Sequence, residues 1–145
     1  MTKGTGTRTA APDRLLTEVE LELMSILWRL GSGSVRDVVA ELPEERRGLA
    51  YTSVSTVLRI LEQKGFVSST PAGKTHLYAP ALSKAEYESR NLRHLVGGLF
   101  DGDPASLVRR LVDATPISTD DLHALRDLLD RRLQDTSRKP RSKRR

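Results

Sequence analysis

The 145-residue chain contains no cysteine, which excludes disulfides, thiolate metal sites and thiol redox switches. No apolar run approaches the roughly 18 residues of a membrane-crossing helix, so no membrane partner is expected. Aromatic residues make up only 4% of the chain, which leaves Leu, Val and Ile to build the core. The three histidines, His76, His94 and His123, fall on separate segments without His-x-x-x-His spacing, so no metal or other cofactor is expected. The acidic pairs Glu44-Glu45, Asp101/Asp103 and Asp120-Asp121 fall at loops or helix starts, where carboxylates cap or are solvated. They offer no acid–base dyad, and the chain is read as a non-enzyme. Gly31-Ser32-Gly33-Ser34 lacks the Lys-Ser/Thr of a phosphate-binding loop and reads as a turn. A soluble, cytoplasmic protein is the expectation.

What is present is positive charge, unevenly placed. The formal net charge is +5, yet six of the 24 basic residues lie between Arg138 and Arg145. The rest of the chain holds 18 basic against 19 acidic residues, so the basic character belongs to the tail. A tail so poor in apolar residues cannot offset its own ordering entropy and is expected to be disordered over 135–145. It would add salt-dependent affinity for any phosphate backbone without reading sequence. Residues 1–14, rich in Thr, Gly and Ala, read as a disordered lead-in without the apolar stretch of a signal peptide.

The most telling segment is Ala50 to Tyr78. Val54, Val57, Leu58 and Leu61 recur at helical spacing and define a buried stripe. The opposite face carries Ser53, Ser55, Thr56, Arg59 and Gln63. Small hydroxyl side chains let a helix approach base edges closely, and an arginine can give a guanine edge two hydrogen bonds. Lys64-Gly65 is a helix stop, because glycine accepts the left-handed conformation that ends helices. Two β-rich runs follow, Phe66 to Thr70 and Lys74 to Tyr78, around a turn at Pro71-Ala72-Gly73, with Lys74 and His76 making the hairpin basic.

Upstream, Thr17 with Glu20 three residues on fits a capping box. Val19, Leu23, Ile26, Leu27 and Leu30 then form one stripe with Met24 and Trp28 at its edges, and Gly31 ends the helix. Ser34 caps a short helix over Val35 to Leu42, closed by Pro43. Pro43 to Gly48 is a charged loop that places Arg46 and Arg47 where they could touch phosphate. Helix, helix, helix, hairpin is the order of a winged helix-turn-helix, in which the third helix enters the major groove.

Three further helical patterns follow Pro80. One runs from Lys84 to Leu99 or Phe100, with Gly97-Gly98 expected to fray or bend its end. A second opens at Pro104 and carries Leu107, Val108, Leu111 and Val112. The last starts at Ser118 or Thr119, with Leu122, Leu125, Leu128, Leu129 and Leu133 facing inward. Three short amphipathic helices make a marginal core alone, and pairing with a second copy is one remedy. Leu92, Leu95, Val96, Leu99, Leu107, Leu111, Leu122, Leu125 and Leu129 are therefore expected to form a homodimer contact. The fold class expected is mainly α with a small β-hairpin wing. A winged-helix DNA-binding domain would span 15–80 and a helical dimerisation region 81–134.

Leu16 to Met24 with Ile26-Leu27-Trp28, the block Ala50 to Leu58, the segment Leu61 to Val67 and the hairpin ending Tyr78-Ala79-Pro80 together resemble the BlaI/MecI/CopY family of bacterial repressors. Ser106-Leu107-Val108 and the Leu122 to Leu129 pattern extend the likeness, which covers about Leu15 to Leu133. The resemblance implies a dimeric winged-helix repressor on a double-stranded, palindromic DNA operator. Its third helix would read bases through Ser53, Ser55, Thr56 and Arg59, while Thr52, Lys64, Lys74 and His76 would meet the backbone. In the β-lactam branch a regulatory protease cuts an Asn-Phe bond in the linker. The comparable stretch here is Arg93-His94-Leu95-Val96, and the chain has no Asn-Phe. The copper branch holds its metal on C-terminal cysteines, which are absent here. The competing class of function is a winged-helix adaptor that docks protein and does not bind DNA specifically.

Overall fold

The computed structural model describes residues 15–138; the expected lead-in and the tail beyond Arg138 lie outside them. In chain order the elements are α1 (Glu18–Leu30), α2 (Val35–Ala40), a 3-10 turn (Glu44–Arg46), α3 (Tyr51–Gln63), β1 (Val67–Ala72), β2 (Thr75–Pro80), α4 (Lys84–Leu99), α5 (Pro104–Ala114) and α6 (Thr119–Arg138). The chain divides into two compact units, with the boundary between Leu95 and Val96, inside α4.

The first unit is built as its caps dictate. The Thr17 hydroxyl accepts from the Glu20 amide and the Glu20 carboxylate accepts from the Thr17 amide, completing the capping box of α1. Ser34 and Asp37 repeat the device on α2. Gly31 and Gly65, both at φ +88, let the chain leave α1 and α3 at once. Leu23, Ile26 and Leu27 of α1, Val35 and Val38 of α2, and Val54, Leu58 and Leu61 of α3 meet in one core with Phe66, Val67 and Tyr78. Each such side chain contributes about 1.5–3 kcal/mol by leaving water.

Several boundaries differ from expectation. Met24 is fully buried in the core and not at its edge, whereas Leu30 is 40% exposed. The α2 helix ends at Ala40, two residues early, although Leu42 still reaches the core. The hairpin turn is Gly73-Lys74, since Pro71 and Ala72 pair with His76 and Thr75 inside the ladder. Gly73 has φ +66 and Lys74 is not left-handed, the arrangement of a two-residue II′-type turn with glycine first. By contrast, α4 keeps its expected bounds, Lys84–Leu99, and stays helical through Gly97 and Gly98. The α6 helix runs to Arg138, so 135–138, expected as the start of the tail, are helical.

The core also extends past Pro80. Leu82 and Tyr87 are buried with it, and the Trp28 indole donates to the Leu82 carbonyl at 3.0 Å. The Tyr87 ring lies 5.8 Å from Trp28 and 6.1 Å, edge-on, from Phe66, and its hydroxyl accepts from the Leu16 amide. The start of α4 is thus fastened to the winged-helix core.

In the second unit Asp103 caps α5, accepting from the Ala105 amide and the Ser106 hydroxyl. These bonds, the Ser106 hydroxyl first, hold the Asp103 carboxyl below the usual carboxylate range. Neither α5 nor α6 buries a residue within the chain.

Candidate nucleic-acid interface

Helical geometry sets the outer surface of α3. With Val54, Leu58 and Leu61 buried, Thr52, Thr56, Arg59 and Gln63 follow one another along the opposite line, and all four are exposed. Ser53 and Ser55 lie on either shoulder of that line, Ser53 exposed and Ser55 half-buried. The four residues expected to read bases are therefore brought onto one face. Thr52, expected at the backbone, and Gln63, noted on this face but given no role, stand in its centre.

The hydrogen bonds on this face are directional. The Thr56 hydroxyl donates to the Thr52 carbonyl at 2.9 Å. Its proton is thereby engaged on its own helix, and the exposed oxygen is left to act as an acceptor. An Arg59 guanidinium nitrogen lies 3.4 Å from the Ser55 hydroxyl, a long contact that still biases the arginine along the helix. Among the described residues Arg59 enters no ion pair. Thr56 thus offers an acceptor and Arg59 several donors, which complements mixed base edges in a major groove.

The wing is fixed to this helix and to the turn before α2. The Ser69 hydroxyl donates to the Glu62 carboxylate at 2.7 Å, tying β1 to the last turns of α3. Gly33 and Tyr78 exchange both backbone hydrogen bonds, at 2.8 and 2.9 Å, so the turn after α1 adds a one-residue bridge to the sheet. Gly31-Ser32-Gly33-Ser34 is therefore more than a turn. Burial, aided by the Glu62 carboxylate and opposed by Arg59, pushes the Tyr78 phenol above its ordinary range. Lys74 stands exposed at the wing tip, and His76 is exposed two residues further on.

Two residues expected at the DNA backbone are committed inside the chain. The Arg46 guanidinium meets Glu22, by its Nε, and Glu18, at 3.5 Å. The Lys64 ammonium, with its side chain only 24% exposed, lies 2.7 Å from the Glu20 carboxylate, which is itself 7% exposed. Burial alone would raise the Glu20 carboxyl, but the Lys64 ammonium and the Thr17 amide hold it below its ordinary range. Arg47 keeps an open position, 3.7 Å from exposed Glu44. Sequence spacing gave no signal for the Glu20–Lys64 pair, whose members lie 44 residues apart.

Most of the residues expected at the dimer contact are uncovered in the single chain. Leu92, Leu95, Leu99, Leu111, Leu122, Leu125 and Leu129 are all exposed, Leu99 by 68% and Leu129 by 59%, while Val96 and Leu107 are half-buried. Among the described residues no helix is long and apolar enough to cross a membrane.

Comparison with known proteins places the sequence among bacterial repressors. Residues 16–131 match a family profile described as "Penicillinase repressor". The methicillin resistance regulatory protein MecI of Mammaliicoccus sciuri is 21% identical over 117 residues, 81% of this chain and 94% of that protein. The penicillinase repressor of Bacillus licheniformis is 21% identical over 115 residues, covering 79% of this chain and 89% of the relative. The solved DNA-binding domain of the repressor BlaI is 25% identical at a TM-score of 0.44, covering 50% of this chain and 87% of that one. With the profile spanning all but the ends of the sequence, the chain belongs to the penicillinase repressor family.

Proposed function

We propose that this protein is a sequence-specific DNA-binding repressor that acts as a homodimer on a palindromic operator. The observation that carries the reading is the outer line of α3, where Thr52, Thr56 and Arg59 stand exposed beside a wing tipped by Lys74. Ser53 and Ser55 flank the line and form the base-reading set with Thr56 and Arg59, while Thr52, Arg47, Lys74 and His76 meet phosphate from the helix start, the loop and the wing. The membership of MecI and the penicillinase repressor in the same family supports the repressor role.

The dimer reading rests on the apolar faces of α5 and α6. Leu122, Leu125, Leu129 and Leu133 repeat on one side of α6, and each is at least 41% exposed in the single chain. A soluble chain rarely leaves so long an apolar stripe in water, and a second copy presenting the same stripe would cover it by two-fold symmetry. Two such chains would set two α3 helices into half-sites about 34 Å, or a multiple of that, apart.

A nuclease footprint of the full chain on DNA upstream of its own and neighbouring genes tests this reading. Two protected half-sites of opposite orientation, centred about one turn or a whole number of turns apart, are expected. A near-neutral body outside the basic tail favours the alternative of a protein-docking winged helix. Uniform cleavage at every fragment would support that alternative.

A further inference from the structure

The first turns of α1 carry three glutamates at alternate positions, Glu18, Glu20 and Glu22, and each meets a cation from the turn before α3 or from the C-terminal cap of α3. Arg46, in the turn that leads into α3, lies between Glu18 and Glu22. Lys64, the residue that caps the C-terminal end of α3, lies on Glu20. Thus α1 holds the C-terminal end of α3 directly and, separately, the turn that precedes α3 in the chain, and both cations are partly covered: the side chains of Arg46 and Lys64 are 29% and 24% exposed.

We infer that Glu20, Glu22, Arg46 and Lys64 are positioning residues for DNA reading: they set the pitch of α3 against the core and do not contact phosphate. The inference rests on the proposed DNA-binding function and deepens it, because it divides the cations near α3 into those that touch DNA and those that aim the helix. Glu20 is suited to the role by doing two things with one carboxylate. Its Oε1 accepts from the Thr17 amide and its Oε2 from Lys64, so the cap that starts α1 also fastens the end of α3. A helix whose outer line is Thr52, Thr56, Arg59 and Gln63 has short side chains at two of its four positions, and short side chains tolerate little error in helix placement. A partly buried ion pair holds a single geometry better than it adds stability.

Electrostatics gives a test with opposite signs. Glu20→Gln and Glu22→Gln each make the chain more positive, which by charge alone would tighten binding to DNA. Positioning predicts the reverse. In full-length protein, fluorescence anisotropy against the genomic fragment preferred by the wild type and a scrambled duplex of the same composition measures both affinities over a salt series. Glu20→Gln, Glu22→Gln, Arg46→Gln and Lys64→Gln should each lower the specific-to-scrambled ratio by about fivefold or more, the lower end of one good base contact. The salt slope should be unchanged in all four, and Lys64→Arg should restore most of the ratio. Thermal unfolding of each variant fixes an assay temperature at which it is folded, and the more exposed Glu22/Arg46 pair tests the idea even if the Glu20 pair proves essential for folding. A slope that falls by about 0.9 in Lys64→Gln or Arg46→Gln, with no change in Glu20→Gln or Glu22→Gln, would overturn the inference and return those cations to phosphate. Unchanged ratios in all four folded variants would overturn it as well. A wild type without preference between the two duplexes would instead remove the DNA-binding reading beneath it.

Discussion

Gly33 and Tyr78 exchange both of their backbone hydrogen bonds, so the wing is stitched to the turn between α1 and α2. The position of Lys74 at the wing tip depends on this bridge, because a two-stranded hairpin alone is marginally stable. A Cβ on Gly33 would lie 3.2 Å from the Asp37 Cβ, which the capping box of α2 holds in place. Gly33→Ala is therefore expected to lower stability by about 1 kcal/mol, the strain outweighing the entropy gained in the unfolded chain. Chemical denaturation checks this, and a stabilised variant would show that the turn yields.

Acid should find the Glu20–Lys64 pair. The Glu20 carboxyl is held below its ordinary value in the folded chain, so its contribution is fully present above the unfolded value of about 4.3 and lost as pH falls through the lower folded value. At neutral pH Glu20→Gln should cost about 1–3 kcal/mol, less than a sealed pair because Lys64 is 24% exposed. Below about pH 4 the difference between the two proteins should shrink. Unfolding free energies measured between pH 7 and pH 3 check this; a gap that stays constant over that range would mean the carboxylate's charge contributes nothing.

The base-reading role proposed for Arg59 has its own test. Arg59→Ala should weaken binding to the preferred fragment by about 1–3 kcal/mol and binding to scrambled DNA much less. Equal losses on both duplexes would reassign the guanidinium to phosphate.

Because Leu125 and Leu129 are exposed in the single chain, a charge there should leave the protomer folded. Leu125→Glu with Leu129→Glu is expected to convert the proposed dimer to monomer in sedimentation equilibrium while circular dichroism keeps its helical signal. A variant that stays dimeric would exclude the α6 stripe from the contact.

The sequence disclosed what depends on local spacing. The Thr17 capping box, the stripe of Val54, Leu58 and Leu61, the stop at Gly65 and the start of α5 at Pro104 are all short-range patterns that stand where their residues place them, while Val57, expected in that stripe, is only half-buried. Features that depend on long-range packing were not legible. Met24 and Leu30 differ by less than two helical turns, and only the position of α3 and the wing decides which is buried. Glu20 reads from the sequence as the capping-box partner of Thr17; its second pairing, with Lys64 across 44 residues, needs the tertiary fold. Lys74 seemed to begin a strand because alternation favours that phase, but Gly73 supplies the positive φ and moves the turn by one residue or more. The face of α3 lies between these cases, since its composition was plain and the central place of Thr52 and Gln63 was not.

The central claim is that the exposed line of α3 reads DNA sequence. Its most direct test is an anisotropy titration of the full-length protein against fragments from upstream of its own gene, repeated over a salt series beside scrambled duplexes. The account predicts salt-sensitive binding to all DNA together with one fragment bound roughly a thousandfold or more tighter than its scrambled copy. Equal affinity for every duplex, or no binding that salt weakens, would contradict it.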